Sequence, residues 1–360
     1  MKIVSRYLLR EWAKILILVV VVFVLVFFVV DFLERIDNFM EAGVPLTRVG
    51  LFFLMFLPSV IFHLAPVAIL VATLISLGLM ARSSEIVAFK AGGVSLMRLS
   101  APILIAAVTV SVLMFIVSDT VIPYTSARVN SIWDGEVEKQ RKESDLIRRN
   151  VWFKTSGGVY NFRIYDEGKH TIDGLSLFLF DEKFRLLTRI EATRAWRLDK
   201  DQWMLYDGVV KTYGGGSDIK VRRFDHEKKS LPDLPEKFAQ VNRASEEMSA
   251  AELSSWIKQM ETEGYDPLRY VVDLKLKYSF PFICAIMAII GLPIAFWKEK
   301  GGGIALGIGV GIGLSFVYLV FLGLSRSLGY SGALPPVLAA WLPNVLFTIL
   351  GVYLFTYVRQ

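Results

Sequence analysis

What this chain lacks narrows its function before anything else does. Its single cysteine, Cys284, lies inside an apolar stretch, so no intramolecular disulfide can form and a buried, inert thiol is expected. The three histidines, His63, His170 and His226, are scattered with no Cys or His partner at ligand spacing, so neither a metal site nor a cofactor is expected. No G-x-x-x-x-G-K stretch followed by Ser or Thr occurs, which removes a P-loop ATPase, and no catalytic residues are expected. Charge is missing from long stretches: 15–30, 49–80, 101–118, 278–297, 301–325 and 327–358. About 18 or more uncharged, mostly apolar residues suffice to cross the hydrocarbon as a helix. Six such runs predict six transmembrane helices. None holds an acid at mid-membrane; Asp119 and Asp273 sit near run ends, where charge costs little, and this weighs against an ion-coupled transporter. His63 is the one ionisable residue inside a run; a neutral ring hydrogen-bonded to a neighbour is its expected state.

The residues that are present agree. The chain is 54% hydrophobic with a mean hydropathy of +0.49, above the ~45–50% apolar content of soluble domains. The first run has a basic start but is followed by Asp31, Phe32, Leu33, Glu34 and Arg35 rather than a small-residue cleavage pattern, so it reads as a retained first helix. Lys2, Arg6, Arg10, Lys14, Arg82, Lys90, Arg98, Lys298, Lys300 and Arg359 fall on one side, against Arg35, Arg48 and Arg326 in the short loops of the other. By the positive-inside bias both termini are cytoplasmic, in a multi-pass membrane protein. Residues 123–270 hold 25 Lys/Arg and 25 Asp/Glu. The +6 net charge therefore belongs to the membrane part, and the basic balance is no argument for nucleic acid.

The expected organisation is three helices over 1–122, with a short cytoplasmic helix at 82–92, then an all-β domain outside the cytoplasm over 123–266, then three helices over 267–360. Pro58 and Pro66 interrupt the second run, marking kinks whose freed backbone groups neighbours must satisfy. The fifth is rich in glycine, and Gly307 and Gly311, one turn apart, form a small-xxx-small pair that permits close backbone approach.

Short alternating segments separated by turn signals fill the inserted domain: 151–154, 159–165, 175–180, 184–187, 195–198, 203–206 and 209–213. Regular spacing of this kind indicates a sandwich, jelly roll or open barrel. Ser249 and Glu252 form a capping box that starts a helix, ending at Gly264 ahead of Asp266 and Pro267.

The loop Arg82-Ser-Ser-Glu85-Ile-Val-Ala-Phe-Lys90-Ala-Gly-Gly-Val-Ser-Leu-Met-Arg98 is the most informative segment. Ser83 or Ser84 can cap a short helix, Glu85 suits its positive N-terminus, and Gly92-Gly93 stops it. Such an amphipathic helix fits a socket on a cytoplasmic protein better than an anionic bilayer. At this point the sequence resembles the lipopolysaccharide export permeases, the LptF/LptG (YjgP/YjgQ-type) family of ABC transporter subunits. The likeness rests on Leu77-Gly-Leu-Met-Ala-Arg82-Ser-Ser-Glu85-Ile, Ala91-Gly92-Gly93, Phe280-Pro281, the glycine-rich fifth helix and Leu334-Pro335-Pro336. It also rests on the 3+3 layout, which covers the whole chain. The run of the second helix and its loop favours LptG over LptF.

The resemblance implies a noncatalytic permease subunit that extracts lipopolysaccharide from the inner membrane and passes it to a periplasmic bridge. Its implied partners are a cytoplasmic LptB-like ATPase dimer, an LptF-like permease and LptC/LptA-like bridge proteins. The implied fold adds a periplasmic jelly-roll-like β domain to six membrane helices. By resemblance Glu85 is the coupling acid, with Arg82, Ile86, Phe89 and Lys90 beside it, and the lipid cavity and gate fall at Phe32, Arg35, Gly307, Gly311, Tyr318 and Arg326. The outer end of the first helix is acidic, with Arg35 its only base, so contact with lipid phosphates falls to Arg35, Arg326 or the partner. Two other classes stay open on the residues alone: an ion-coupled secondary transporter, and a membrane-anchored assembly or signalling protein with a binding β domain.

Overall fold

The computed structural model describes residues 2–138, 147–155, 158–166, 171–181, 185–199, 202–213, 219–230, 244–262, 265–297 and 304–357. Two compact units emerge: a helical one, Met1–Trp133 with Ala244–Gln360, and a β unit, Asp134–Arg243. The inserted domain expected over 123–266 is thus shorter at both ends. The helix entering it does not stop at Pro123, because Ile122, Thr125, Val129 and Ile132 keep one buried face at helical spacing. On the return side, Leu253 and Ile257 are buried against Tyr270, Val271 and Leu274, which assigns the capped helix to the helical unit. His170, Gly264, Lys298, Lys300 and Arg359 lie outside the described residues.

The helical unit contains α1 (Lys2–Glu41), α2 (Leu46–Arg82), α3 (Glu85–Ala91), α4 (Leu96–Ile132), α5 (Ala250–Thr262), α6 (Leu268–Ser279), α7 (Ile283–Trp297), α8 (Ile304–Tyr330) and α9 (Pro336–Tyr357). Among the described residues, six helices are long and apolar enough to cross a membrane, the fourth being α6 and α7 joined through Phe280–Phe282. The capping box forms as expected: the Ser249 amide donates to Glu252 Oε2 at 2.9 Å, and the Glu252 amide to Ser249 Oγ at 3.2 Å.

Burial divides the six unequally. The apolar stretch of α2 is 72% buried and that of α6–α7 78%, against 11% for α1 and 22% for α8. Ile69, Leu70, Leu74 and Leu77 of α2 pack with Ile103, Ile283, Met287 and Ile290 in the main core. The break between α6 and α7 follows from Pro281, which has no amide to donate. Neighbouring helices take up the backbone groups there: Asn344 Nδ2 donates to the Ser279 carbonyl at 2.8 Å, and the Ala285 amide donates to Ser111 Oγ at 3.1 Å. Trp12 Nε1 donates to Thr73 Oγ1 at 3.0 Å and ties α1 to α2.

The β unit is a six-stranded antiparallel meander: β1 (Ile147–Thr155), β2 (Gly158–Asp166), β3 (Thr171–Phe180), β4 (Leu186–Asp199), β5 (Gln202–Tyr213) and β6 (Ile219–Ser230), paired in sequence order. Tyr160, Phe162, Ile172, Leu175, Leu177, Ile190, Ala195, Trp203 and Leu205 form its core, the inward half of a period-two pattern. Two expected breaks are absent. The segments around 195 and 187 form one strand, β4, and Asp207-Gly208 does not turn the chain but lies within β5. Asp207 takes a positive φ of 49°, and Gly208 lies under Phe224, whose ring a Cβ would meet at 2.1 Å. Close cross-strand approach explains that glycine. Strand β6 was missed because it is largely exposed and charged on both faces, leaving no apolar alternation to read.

Candidate functional site

Helix α3 is fixed by what it buries. Ile86 is fully buried and packs into the main core with Met80, Leu96 and Leu99, while Phe89 packs partly buried against the same cluster. These two side chains therefore anchor α3 to its own subunit, and the face left outward carries Val87, 57% exposed, with Ala88 and Ala91. That corrects the sequence reading, which placed Ile86 and Phe89 with the contact residues. The signal for the true outward face was available: Val87 sits about 100° around the helix from Ile86.

The N-terminal end of α3 also differs from expectation. Ser84 occupies the cap position with a left-handed φ of 62° and makes no side-chain cap. Ser83 instead places its hydroxyl 2.9 Å from Glu85 Oε1, which accepts from it, and the same carboxylate acts electrostatically on Tyr7 of α1. Glu85 is thus held at the positive end of α3 and Lys90 lies in the last turn, both favourable to the helix dipole. The far end closes as the two glycines imply. Gly93 adopts φ +78°, and the Val94 amide donates to the Phe89 carbonyl at 3.0 Å, a left-handed helix stop that glycine adopts without strain. Arg82 is exposed, and beside it a cavity of about 570 Å³ is lined by Tyr7, Glu11, Met80, Ser83 and Glu85.

The cavity and gate residues do not gather in one place. Arg35, the only base at its end of α1, donates to Asp31 Oδ1 at 2.9 Å, and its guanidinium lies 4.9 Å from the Trp133 ring centroid and 5.8 Å from those of Phe52 and Phe56. It is a caged, paired cation rather than a free one. Phe32 is 39% exposed with its ring against Phe53. Tyr318 is fully buried; its hydroxyl donates to Asn344 Oδ1, which also fastens the break between α6 and α7. That burial places Tyr318 inside the subunit. Its work is to join α8 to α9.

Arg326 belongs to a second polar cluster. Its Nη2 donates to Asp273 Oδ1 at 2.9 Å, Tyr330 donates to the same oxygen, and Ser245 Oγ donates to Asp273 Oδ2 at 2.7 Å. The carboxylate is 8% exposed and links α6, α8 and the segment preceding α5. Asp273 was read only as an interface acid; its partners lie 53 and 57 residues downstream, beyond any sequence spacing signal. His63 meets expectation, with Nδ1 2.8 Å from the Ser59 carbonyl.

The two glycines of α8 separate. A Cβ on Gly311 would meet Leu74 Cδ1 at 2.4 Å, whereas one on Gly307 meets nothing within 4 Å. Gly311 is the close-approach position of α8 on α2 inside the subunit, and Gly307, itself buried, has room for a Cβ. Gly311→Leu is therefore expected to lower the thermal unfolding midpoint of the detergent-purified protein by several degrees, and Gly307→Leu to leave it unchanged. Equal effects at the two positions would overturn this assignment.

The family model of the lipopolysaccharide export system permease LptF/LptG matches residues 6–357. The chain is 20% identical over 333 residues to the lipopolysaccharide export system permease protein LptG of Escherichia coli strain K12, covering 91% of this chain and 90% of that protein. With the LptG protein of Haemophilus influenzae it shares 21% identity over 329 residues, 89% of each.

Proposed function

The chain belongs to the lipopolysaccharide export permease family LptF/LptG, and from that premise we propose that it is the noncatalytic membrane subunit through which a separate ATPase dimer drives lipopolysaccharide out of the inner membrane. The family and the six apolar helices make it a multi-pass permease of the lipopolysaccharide export system, and the relatives named above bear the LptG name, in keeping with that branch. The proposal concerns orientation, partners and residues. Both termini and α3 face the cytoplasm, and the β unit faces the periplasm, where it hands lipid to LptC/LptA-like bridge proteins.

The observation that carries the reading is α3 itself. A seven-residue helix is too short to persist alone in water, yet here its apolar residues Ile86 and Phe89 hold it to the bundle. It presents a small, rigid face of Val87, Ala88 and Ala91 beside a positioned carboxylate. That is the form of a plug for a groove on an LptB-like ATPase. The exposed apolar faces of α1 and α8, with Val22, Leu25, Val29, Phe316 and Val320 outward, suit a second, LptF-like permease and the lipid between the two.

Orientation is tested by single cysteines. Cys284 is 1% exposed and gives little background, so Lys90→Cys should react with a membrane-impermeant maleimide only after the cytoplasmic side is opened. Lys228→Cys, in β6, should react in intact spheroplasts. Labelling of position 90 from the periplasmic side would end this model.

A further inference from the structure

Within the helical unit, residues of α2, α4, α5, α6 and α8 line a cavity of about 260 Å³. Its wall is apolar: Phe62 stacks on Phe280 at 4.8 Å between centroids, with Leu276, Leu319, Leu322 and Ile122 around them. Polar side chains also line it: His63, beside the Phe62 and Phe280 rings, and Ser118, Ser245, Glu246, Asp273, Lys277 and Arg326.

Most of those polar groups already serve one another. Asp273, Arg326 and Ser245 form the cluster described, and Ser118 donates to the Phe115 carbonyl at 2.9 Å. Three groups have capacity left. Lys277 donates to the Met248 carbonyl at 2.6 Å, which leaves two of its three ammonium hydrogens. A carbonyl can only accept, so the His63 Nδ1 that faces Ser59 carries a proton, and in the neutral ring Nε2 is left to accept. The Glu246 carboxylate acts electrostatically on Lys277 and is itself exposed. A cation and an anion within electrostatic reach of each other thus share the lining of a largely apolar chamber.

That pairing selects among ligands. A simple anion would approach Lys277 against the negative field of Asp119, Glu246 and Glu252, all of which bear on that ammonium; a simple cation would meet Lys277 and Arg326. A headgroup carrying both charges fits, with its phosphate on Lys277 and its amine on Glu246 and His63 Nε2. The lining residues of α6 and α8 lie within the fourth and fifth membrane-crossing lengths, where such lipids are at hand. At about 260 Å³ the space is small beside the ~300–1,000 Å³ that holds a whole small-molecule ligand, so it takes part of one acyl chain. We propose that this cavity binds a zwitterionic, amine-bearing phospholipid as a resident ligand, independently of the docking role of α3.

The test uses the full chain, delipidated in detergent and mixed with vesicles of either phosphatidylethanolamine or phosphatidylglycerol with identical acyl chains. Native mass spectrometry then counts retained lipid. The expected result is retention of phosphatidylethanolamine at least about tenfold above phosphatidylglycerol, abolished by Leu322→Trp, whose ring fills the chamber. Glu246→Gln should retain the chain but lose the headgroup preference. Leu319→Trp, on a residue 46% exposed, repeats the filling test where Leu322→Trp fails to fold. Equal retention of the two lipids, or retention that survives both tryptophans, would each overturn the proposal.

Discussion

Glu85→Lys is expected to abolish ATP-driven lipid extraction in a reconstituted complex and to weaken ATPase binding, with the membrane half still folded. The carboxylate stands at the positive end of α3, accepts from Ser83, and borders the outward face of that helix. In a groove it would meet a basic residue and lose water. Coupling between close interfacial charges runs from about 1.5 to 7 kcal/mol, and reversal of one sign replaces attraction with repulsion. If Glu85 only favoured its own helix end, the change would be worth about 0.3–1 kcal/mol, and extraction would survive. Val87→Asp sets a charge on the outward face without touching Ile86 or Glu85, and should impair binding in the same direction. The readouts are ATPase retained on the purified permease and lipid released per ATP hydrolysed. Full extraction by Glu85→Lys would remove the docking role of α3.

The second large effect is expected at Asp273. Removing one member of a buried ion pair costs about 3–5 kcal/mol, because the partner is left charged and unpaired. Here Asp273 is 8% exposed but the Arg326 side chain is 42% exposed, so water can reach the orphaned guanidinium and the loss should be smaller, about 2–3 kcal/mol. Asp273→Ala also takes the acceptor from Tyr330 and Ser245. The purified variant should unfold several degrees earlier. Asp273→Asn, which keeps an oxygen for those donors, should lose less. The double change Asp273→Ala with Arg326→Ala should be milder than the sum of the two singles by about 1 kcal/mol, the coupling expected of residues in contact. Strict additivity would show that the pair contributes nothing as a pair.

Both arguments depend on contacts that the residue order could not supply. Arg35 and Arg326 stood out as lone bases in outer loops, and each proves to be paired, with Asp31 and Asp273. Asp31 is four residues from Arg35, so that pair was readable as a helical neighbour; Asp273 was not. Glu85 was legible because it sits between a helix-starting serine pair and a helix-stopping glycine pair. The use of Ile86 was misread, because an apolar residue on a short amphipathic helix can face either its own bundle or a partner.

By itself, the sequence determined the six crossings, the insertion of a β unit after the third, the Ser249–Glu252 cap and the stop of α3 at Gly93. These are local outcomes: a membrane helix closes its hydrogen bonds within its own segment, and a cap or a left-handed stop involves residues only three to five apart. The tertiary structure alone decided that Gly311 touches α2 and Gly307 does not, that Tyr318 is a buried tie, that Val87 faces outward, and that β6 completes the sheet. Each of those depends on which helix or strand lies alongside. Apolar residues pack on one another without directional preference, so an apolar pattern marks that a face is covered but leaves open what covers it.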